Sequence, residues 1–178
     1  DLGIKAAETI KKRLVVANYI DTGDVPYYEK EIEPHFVQGY VTRAGEMKDI
    51  RVKSQFLGNA RLFLFPIRWD EPFGIVMIEA MAVGTPLVSF ALGSAPEVIK
   101  DGETGYLVNF SDTDMRGDWV IKKTGIEGLC EAMERIYAMP HNEYLNMRKA
   151  CRAHVEKNFT VKRMVDKYEE VYKQVLSS

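Results

Sequence analysis

The sequence predicts an α/β protein built around a doubly wound parallel sheet, and three observations support this class. Apolar runs of strand length alternate with helical patterns as far as Val108. Residues 62–90 give a strand, a loop, a helix and a second strand, which is the order of a parallel βαβ unit. Helical patterns then fill the chain from residue 125 onwards. The 178 residues are enough for one domain with a real core.

The segment before residue 62 is predicted to alternate helices with short strands. The first helix ends at three basic residues, which suit the negative end of a helix dipole. Pro34 cannot continue a helix, so it is expected to end the second one. The predicted elements are a helix at residues 2–13, a strand at 14–17, a helix at 27–33, a strand at 35–38 with a turn at 39–41, and a helix at 46–58.

The central unit is delimited by proline and glycine. Pro66 closes an apolar run that predicts a strand buried on both faces. Gly74 is predicted to open the helix, and Gly84 to stop it before the next strand. Because ligands of such sheets bind at the carboxyl ends of the strands, the start of this helix is expected at the binding edge. The predicted elements are a strand at residues 62–66, a loop at 67–73, a helix from Gly74 through Ala82 and a strand at 86–90.

The segment after the central unit is predicted to end in three helices. Ser94 is expected to cap a short helix that begins near Pro96, and Thr160 to cap the last helix. The remaining predicted elements are a turn at residues 101–105, a strand at 106–108, a loop at 111–123 and helices at 125–139, 141–158 and 161–176.

The helix at residues 74–82 has an unusual composition. Its apolar side chains cover every face, which predicts that it is buried all round. Glu79 is the only ionisable residue between Glu71 and Glu97. A buried carboxylate without a partner is costly or changes its protonation. Glu79 therefore needs either an internal basic partner or the hydroxyl groups of a ligand, and both explanations remain open.

The N-terminus of the same helix is suited to an anion. The backbone N–H groups of Gly74, Ile75 and Val76 lie at its positive end, where no intrahelical acceptor is available to them. Gly74 has no side chain, so a ligand can approach the backbone closely. A phosphate bound here and a vicinal diol bound by Glu79 together describe a sugar nucleotide.

Five fragments in this order resemble the C-terminal domain of retaining glycosyltransferases with the GT-B fold, which is Rossmann-like. The spacing of Glu71 and Glu79 is typical of family GT4, also called glycosyl transferases group 1. The resemblance covers nearly the whole chain, so residues 1–178 are expected to form a single donor-binding domain. The fragments are Glu71-Pro72-Phe73-Gly74, Glu79-Ala80-Met81-Ala82, Gly84-Thr85-Pro86, Pro96-Glu97-Val98-Ile99 and residues 101–108.

The resemblance implies roles for the residues around the central helix. Glu71 would bind hydroxyl groups of the transferred sugar as the catalytic residue, and Glu79 would accept hydrogen bonds from the ribose hydroxyls. Phe73 would shape the sugar pocket together with Gly74. For Glu71 the alternative is a charge that only flanks the helix N-terminus, and for Glu79 it is a pair with Arg or Lys. The backbone amides that would reach the donor are those of Gly74, Ile75 and Val76.

Four further residues are candidates for contacts around the donor. The resemblance places the loop after the strand at 35–38 beside the nucleotide base, so Tyr40 or Val41 is expected to pack on it. The alternative for Tyr40 is an ordinary half-exposed aromatic. Trp69 is suited to stacking on a sugar face and Arg68 to a phosphate or the acceptor, although both are equally suited to packing the loop.

For the whole protein, the resemblance implies a hexosyltransferase that uses a nucleotide-diphosphate sugar and retains the anomeric configuration. UDP- and GDP-linked donors are both compatible with it. The active site would lie in a cleft between this domain and an N-terminal domain that binds the acceptor. Neither a metal nor a cofactor is implied beyond the donor substrate.

The same resemblance gives expectations for both ends of the sequence. A strand before the first helix normally carries Gly-Arg-Leu and Lys-Gly motifs, whose Arg and Lys bind the donor diphosphate. Neither motif occurs here, so the sequence is expected to begin just after that lysine. Residues 159–178 are expected to contain a final helix that crosses back to the N-terminal domain.

Other functions remain as alternatives. A GT-B phosphorylase, a sugar-nucleotide epimerase and a non-catalytic module that binds sugar nucleotides share the features described so far. Glycosidases also use a pair of carboxylates. Glu79, however, lies within a helix whose start is suited to phosphate, and this disfavours hydrolysis.

The composition argues against several classes of protein. A formal net charge of −2 gives no broad field for nucleic acid, and no apolar stretch reaches the roughly 18 residues of a membrane span. Cys130 and Cys151 fall in predicted helices, which indicates buried, reduced thiols. The three histidines are scattered, so no metal site is expected. A cytoplasmic protein is expected, with membrane association only through the N-terminal domain or the acceptor.

Overall fold

The computed structural model describes residues 1–37 and 39–177, so Gln38 and Ser178 lie outside the described residues. In chain order, the helices are α1 (Leu2–Thr9), α2 (Val25–Glu31), α3 (Ile50–Gly58), α4 (Ile75–Ala82), α5 (Ala95–Val98), α6 (Gly125–Ala138), α7 (His141–Asn158) and α8 (Val161–Ser177). The strands are β1 (Leu14–Val16), β2 (Val41–Arg43), β3 (Phe63–Phe65), β4 (Leu87–Phe90) and β5 (Gly105–Val108). Short 3₁₀ helices lie at Thr22–Asp24 and Glu33–Val37.

The strands are parallel, which confirms the predicted α/β class. β3, β4 and β5 form one sheet in that order, with Phe63 opposite Leu87 and Leu87 opposite Gly105. β1 and β2 form a separate pair, with Leu14 opposite Val41. Within the described residues, β1 and β3 are not hydrogen-bonded to each other, and a cleft of about 990 Å³ is lined by residues of both strands.

Helices cover both faces of the three-stranded sheet. Val88 and Phe90 of β4 point to one side, into a core shared with α1 and α6. Leu87, on the opposite face of the same strand, packs into a second core with Met77 and Met81 of α4. This division of alternate residues between two cores is the doubly wound arrangement that the sequence predicts.

The predicted strand at residues 35–38 is wrong for residues 35–37, and Gln38 lies outside the described residues. Residues 33–37 form a 3₁₀ helix, and the next strand begins only at Val41. The amide of His35 donates to Ile32 O, so the chain continues in a tight turn after α2, and Pro34 has the fixed φ that such a turn tolerates. The β-branched residues Val41 and Thr42 instead pair with β1.

Two burial predictions for the central unit are also wrong. β3 is only half-buried along its length, because the cleft leaves one of its edges without a neighbouring strand. α4 is not buried all round either, since the side chain of Ile75 in its first turn is 65% exposed. Its bounds agree with the sequence, because Gly74 is the N-cap and Gly84, at φ 79°, follows the helix.

The C-terminal helix α8 contrasts with the rest of the fold. It has no buried residue, and it carries an exposed apolar stripe that includes Tyr168, Val171 and Tyr172. Thr160 caps it as predicted, accepting a hydrogen bond from the amide of Arg163 at 3.2 Å. None of the helices in the described part of the chain combines the length and the apolar character needed to cross a membrane.

The two cysteines are buried and free, as the sequence predicts. Cys151 packs in the core beside α4, and burial raises the pKa of its thiol to about 12.

Candidate functional site

Glu71 lies at the centre of the loop before α4, and its carboxylate is held from two sides. Oε1 accepts a hydrogen bond from the amide of Gly74 at 3.1 Å, and Oε2 accepts one from the indole Nε1 of Trp69 at 3.2 Å. The first contact places a negative charge beside the N-terminus of α4, which is favourable. Glu71 therefore does flank the helix N-terminus as a charge, which was its alternative role. The two hydrogen bonds also fix the direction of its carboxylate.

The backbone of Glu71 rests on the loop that follows β4. The amide of Ser94 donates to Glu71 O at 2.9 Å. Gly93 lies so close that a Cβ atom on it would come within 2.4 Å of Glu71 N, and its φ of +50° also disfavours a side chain. The position of Glu71 is thus determined by a glycine that the sequence analysis did not single out.

Asp70 ties the same loop to a distant segment. Its Oδ1 accepts hydrogen bonds from the amide of Gly93 at 2.8 Å and from Nη1 of Arg116 at 2.5 Å. The Gly93 amide and then the Arg116 guanidinium hold the pKa of Asp70 below its usual value. Arg116 also binds Asp114 through Nε, so the loop at residues 111–123 is anchored against the candidate site.

The N-terminus of α4 presents part of the predicted anion site. Gly74 has the left-handed φ of +70°, and a Cβ atom there would lie 2.6 Å from Cε of Met77. The sequence predicts a free N–H group at Gly74, but this group donates a hydrogen bond to Glu71. The N–H groups of Ile75 and Val76 have no acceptor among the described residues, which leaves two donors at the positive end of the helix.

Glu79 is paired with a lysine that the sequence analysis did not identify. Nζ of Lys53, on α3, lies 2.5 Å from Oε1 of Glu79 on α4. Both side chains are partly buried, so the pair satisfies the need of Glu79 for a basic partner. No local sequence pattern links residues 26 positions apart. The sequence does predict a helix that contains Lys53, and the structure shows that this helix packs beside α4.

The two predicted donor contacts lie on one face of α4. Glu79 follows Ile75 by four residues and Val76 by three, so these positions are neighbours on the helix surface. Val76 and Lys53 also line the cleft between β1 and β3. The cleft lining thus reaches this face of α4 at Val76 and at the lysine that pairs with Glu79, whereas Ile75 and Glu79 themselves do not line it.

Apolar side chains surround this face. Trp69 is 61% exposed, Ile75 is 65% exposed and Phe73 is 41% exposed. The ring of Phe73 also meets Phe159 edge to face at 6.0 Å between centroids. Arg68 is exposed and directed towards Asp1, with Nη2 at 3.4 Å from Oδ1. The exposed rings of Trp69 and Phe73, close to Glu71 in the same loop, are suited to stacking with a sugar or to contact with a second domain.

Tyr40 and Val41 lie away from this group of residues. They stand at the start of β2, whereas Glu71 and Gly74 follow the carboxyl end of β3. Val41 is fully buried, and Tyr40 is 41% exposed without lining the cleft. The loop that follows β2 begins instead at Ala44, which does line it. In the part of the chain that the structure covers, no group of three or more His, Cys, Asp or Glu side chains is arranged to hold a metal ion.

Comparisons with known proteins identify the family of this chain. The family model described as glycosyl transferases group 1 matches residues 1–154. The N-acetyl-alpha-D-glucosaminyl L-malate synthase of Bacillus anthracis is 35% identical over 106 residues, which cover 60% of this chain and 24% of that protein. The D-inositol 3-phosphate glycosyltransferase of Corynebacterium kroppenstedtii is 39% identical over 74 residues, or 42% of this chain and 15% of that protein. The chain thus spans about a quarter or less of the length of these curated relatives.

Solved structures share the fold. Sucrose-phosphate synthase from Thermosynechococcus elongatus superposes with a TM-score of 0.75 at 23% identity, over 99% of this chain and 42% of that one. HepE from Anabaena in complex with UDP-glucose superposes with a TM-score of 0.76 at 19% identity, over 97% of this chain and 44% of that one. The match of the family model over most of the sequence shows that this chain belongs to the glycosyl transferases group 1 family, as the order of its motifs predicts.

Proposed function

We propose that this chain is the donor-binding domain of a retaining glycosyltransferase that uses a UDP- or GDP-linked sugar. The observation that carries the proposal is the first part of α4, where among the described residues the amides of Ile75 and Val76 have no acceptor and Oε2 of Glu79 has no hydrogen-bond partner. HepE, a structural neighbour, has been solved with UDP-glucose, and this supports a nucleotide sugar as the ligand.

Each group has a role that follows from its chemistry. The amides of Ile75 and Val76 bind the diphosphate, which favours the positive end of a helix. Glu79 accepts hydrogen bonds from the ribose diol. Glu71 binds hydroxyl groups of the transferred sugar, and Phe73 and Gly74 shape the pocket around it. The amides also stabilise the negative charge that develops on the leaving diphosphate.

The base contact is proposed for a different loop from the one first expected. Residues 44–47 follow the carboxyl end of β2, and ligands of parallel sheets bind at the carboxyl ends of the strands. Tyr40 and Val41 stand at the opposite end of the strand. We therefore propose that the loop after β2 takes over the role predicted for Tyr40 and Val41.

The cleft also suggests how the domain is completed in the whole enzyme. A further parallel strand between β1 and β3 would join the two sheets, and Asn18 Oδ1 and Thr42 Oγ1, both in residues that line the cleft, have no described hydrogen-bond partner. We propose that the strand with the diphosphate-binding Arg and Lys occupies this position. The exposed stripe of α8 would then pack on the acceptor-binding domain. This chain by itself is expected to bind donor weakly and to transfer no sugar.

The test is calorimetric titration of the protein with UDP, GDP and their glucose and mannose conjugates, with EDTA present because no metal requirement is proposed. Glu79→Gln should weaken binding about tenfold or more, since hydrogen bonds to a charged group contribute about 1.5–3 kcal/mol. Glu156→Gln is the matched control, because Glu156 is an exposed carboxylate that pairs with Arg152 on α7.

The outcomes separate the competing functions. Binding of one nucleotide that is lost in Glu79→Gln and kept in Glu156→Gln supports the proposal and identifies the base. Equal affinity in all three proteins would contradict it. Sugar transfer by the complete enzyme that depends on inorganic phosphate would indicate a phosphorylase instead.

A further inference from the structure

A second cavity, of about 400 Å³, lies where the loop before α4 meets α5, the end of α7 and the start of α8. Its lining shares no residue with that of the cleft between β1 and β3. The volume falls within the range of small-molecule sites, which is about 300–1,000 Å³. We call it the rear cavity, and its walls include Phe73, Ser94, His154, Phe159 and Arg163.

The rear cavity is strongly basic. Lys100, Lys157, Arg163 and Lys167 all line it, and Glu97 is the one acidic residue among the described lining. Lys100 has Glu103 at 3.4 Å. Over the described ranges 1–37 and 39–177, the other three cations make no ion pair. An excess of positive charge around a concave surface favours an anionic ligand.

Ser94 supplies a second and independent observation. Its residue is only 6% exposed, and its Oγ has no hydrogen-bond partner among the described residues. It was expected to cap α5, but its side chain makes no capping bond. A buried hydroxyl without a partner is costly, so such a group requires an explanation. A ligand in the rear cavity provides the missing partner.

The histidine in the wall is not a candidate for this role. Nε2 of His154 lies 3.0 Å from Val98 O, and its Nδ1 lies 2.9 Å from the amide nitrogen of Asn158. Burial lowers the pKa of His154, and both nitrogen atoms of its ring are engaged by these contacts. The groups that remain for a ligand are the hydroxyl of Ser94 and the cations of α7 and α8.

We propose that the rear cavity binds the phosphate of a phosphorylated small molecule, at a site separate from that of the nucleotide sugar. Three unpaired cations match the charge of a phosphomonoester better than that of a single carboxylate. The hydroxyl of Ser94 donates to a phosphate oxygen, and the remaining volume accommodates the organic part of the ligand.

The rear cavity is connected to the loop that carries Glu71. The amide of Ser94 donates to Glu71 O, and Phe73 contacts Phe159 across the cavity wall. A ligand held by Ser94 and α8 therefore restrains Glu71 and Phe73, which are the residues proposed to contact the transferred sugar. Because coupling between two sites is reciprocal, the phosphomonoester and the nucleotide sugar each change the affinity for the other by the same factor.

The test is an NMR titration of the isotopically labelled protein with glycerol 3-phosphate at constant ionic strength, with glycerol as the uncharged control ligand. We expect saturable shifts at the amides of Ser94 and Phe159 with glycerol 3-phosphate and none with glycerol. Ser94→Ala removes the hydroxyl with little change in volume. The double variant Arg163→Gln with Lys167→Gln should weaken binding about tenfold or more, because it removes two charged contacts.

The matched control is Lys162→Gln with Lys173→Gln, which removes the same charge from α8 at positions outside the rear cavity. Its affinity should stay within about twofold of the parent, since exposed charges contribute little. Three outcomes would overturn the proposal. They are no saturable shift, shifts confined to the amides of Ile75 and Val76, or equal losses in both double variants, which would indicate a general electrostatic effect.

Discussion

Nζ of Lys53 lies 2.5 Å from Oε1 of Glu79, and this pair joins α3 to α4 at the edge of the cleft. Only one carboxylate oxygen is used, because Oε2 makes no hydrogen bond with a described residue. Ion pairing and ligand binding are therefore compatible for Glu79. The lysine orients the carboxylate, and the second oxygen remains available for a hydroxyl group of the donor.

Replacing Lys53 with Met should weaken donor binding about three- to tenfold, because the carboxylate of Glu79 loses the partner that orients it. Isothermal titration with the nucleotide identified for the parent protein measures the effect. Lys122→Met breaks the exposed pair with Asp118 and should leave affinity unchanged. Combining Lys53→Met with Glu79→Gln should cost less than the sum of the two single changes. Strict additivity would show that Lys53 does not act through Glu79.

Replacing Glu71 with Gln should separate its contact with the sugar from its role in the loop. The amide oxygen of Gln can still accept from Gly74 N, so the free energy of unfolding should change by less than about 1 kcal/mol. The affinity for the nucleotide sugar should fall towards that for the bare nucleotide, because the sugar hydroxyls lose a charged acceptor and the bare nucleotide has no such hydroxyls to lose it. A parallel loss for nucleotide and nucleotide sugar would argue against a sugar contact.

Gly93→Ala should destabilise the protein by at least about 2 kcal/mol, because φ is +50° and the new Cβ would press on the backbone of Glu71. Thermal unfolding measures the change. Gly23→Ala is the control, since nothing lies within 4 Å of its added Cβ, and it should stay within about 0.5 kcal/mol of the parent. A neutral Gly93→Ala variant would mean that the loop moves freely away from the residues after β4.

His154 should make stability sensitive to acid. Burial, the largest cause, lowers its pKa below the ordinary value of 6.5, so the folded state takes up its proton at lower pH than the unfolded chain does. The contribution of His154 to the free energy of unfolding is fully present above pH 6.5. It decreases as the pH falls below that value, by at most about 1.4 kcal/mol per pH unit. Denaturant titrations at several pH values should show a shallower fall in His154→Gln. In His141→Gln, which changes an exposed histidine, the fall should match that of the parent.

The sequence predicts secondary structure most accurately where the local pattern of proline, glycine and apolar residues is strongest. The α4 unit was predicted within a residue or two, because Pro66, Gly74 and Gly84 delimit a strongly apolar segment. The error at residues 35–38 arose where a strand of three residues competes with the turn at Pro34, and periodicity over so few positions decides little.

The contacts that complete the candidate site were beyond local reasoning. Lys53 meets Glu79 across 26 positions and Arg116 meets Asp70 across 46, so only the packing of α3 and of the loop before α6 brings them together. Ser94 was assigned to a cap from its position alone, and its buried hydroxyl without a partner became visible only in three dimensions.

The cleft between β1 and β3 has a consequence for the mobility of the backbone. The amides of Leu14 and Phe63 donate to Tyr40 O and Pro86 O, so the alternation of a strand turns the amides of Val15 and Leu64 towards the cleft. In deuterated water these two amides should exchange much faster than their bonded neighbours. The sites of rapid exchange in this chain therefore extend into its strands, at alternate residues beside hydrogen-bonded amides that exchange more slowly.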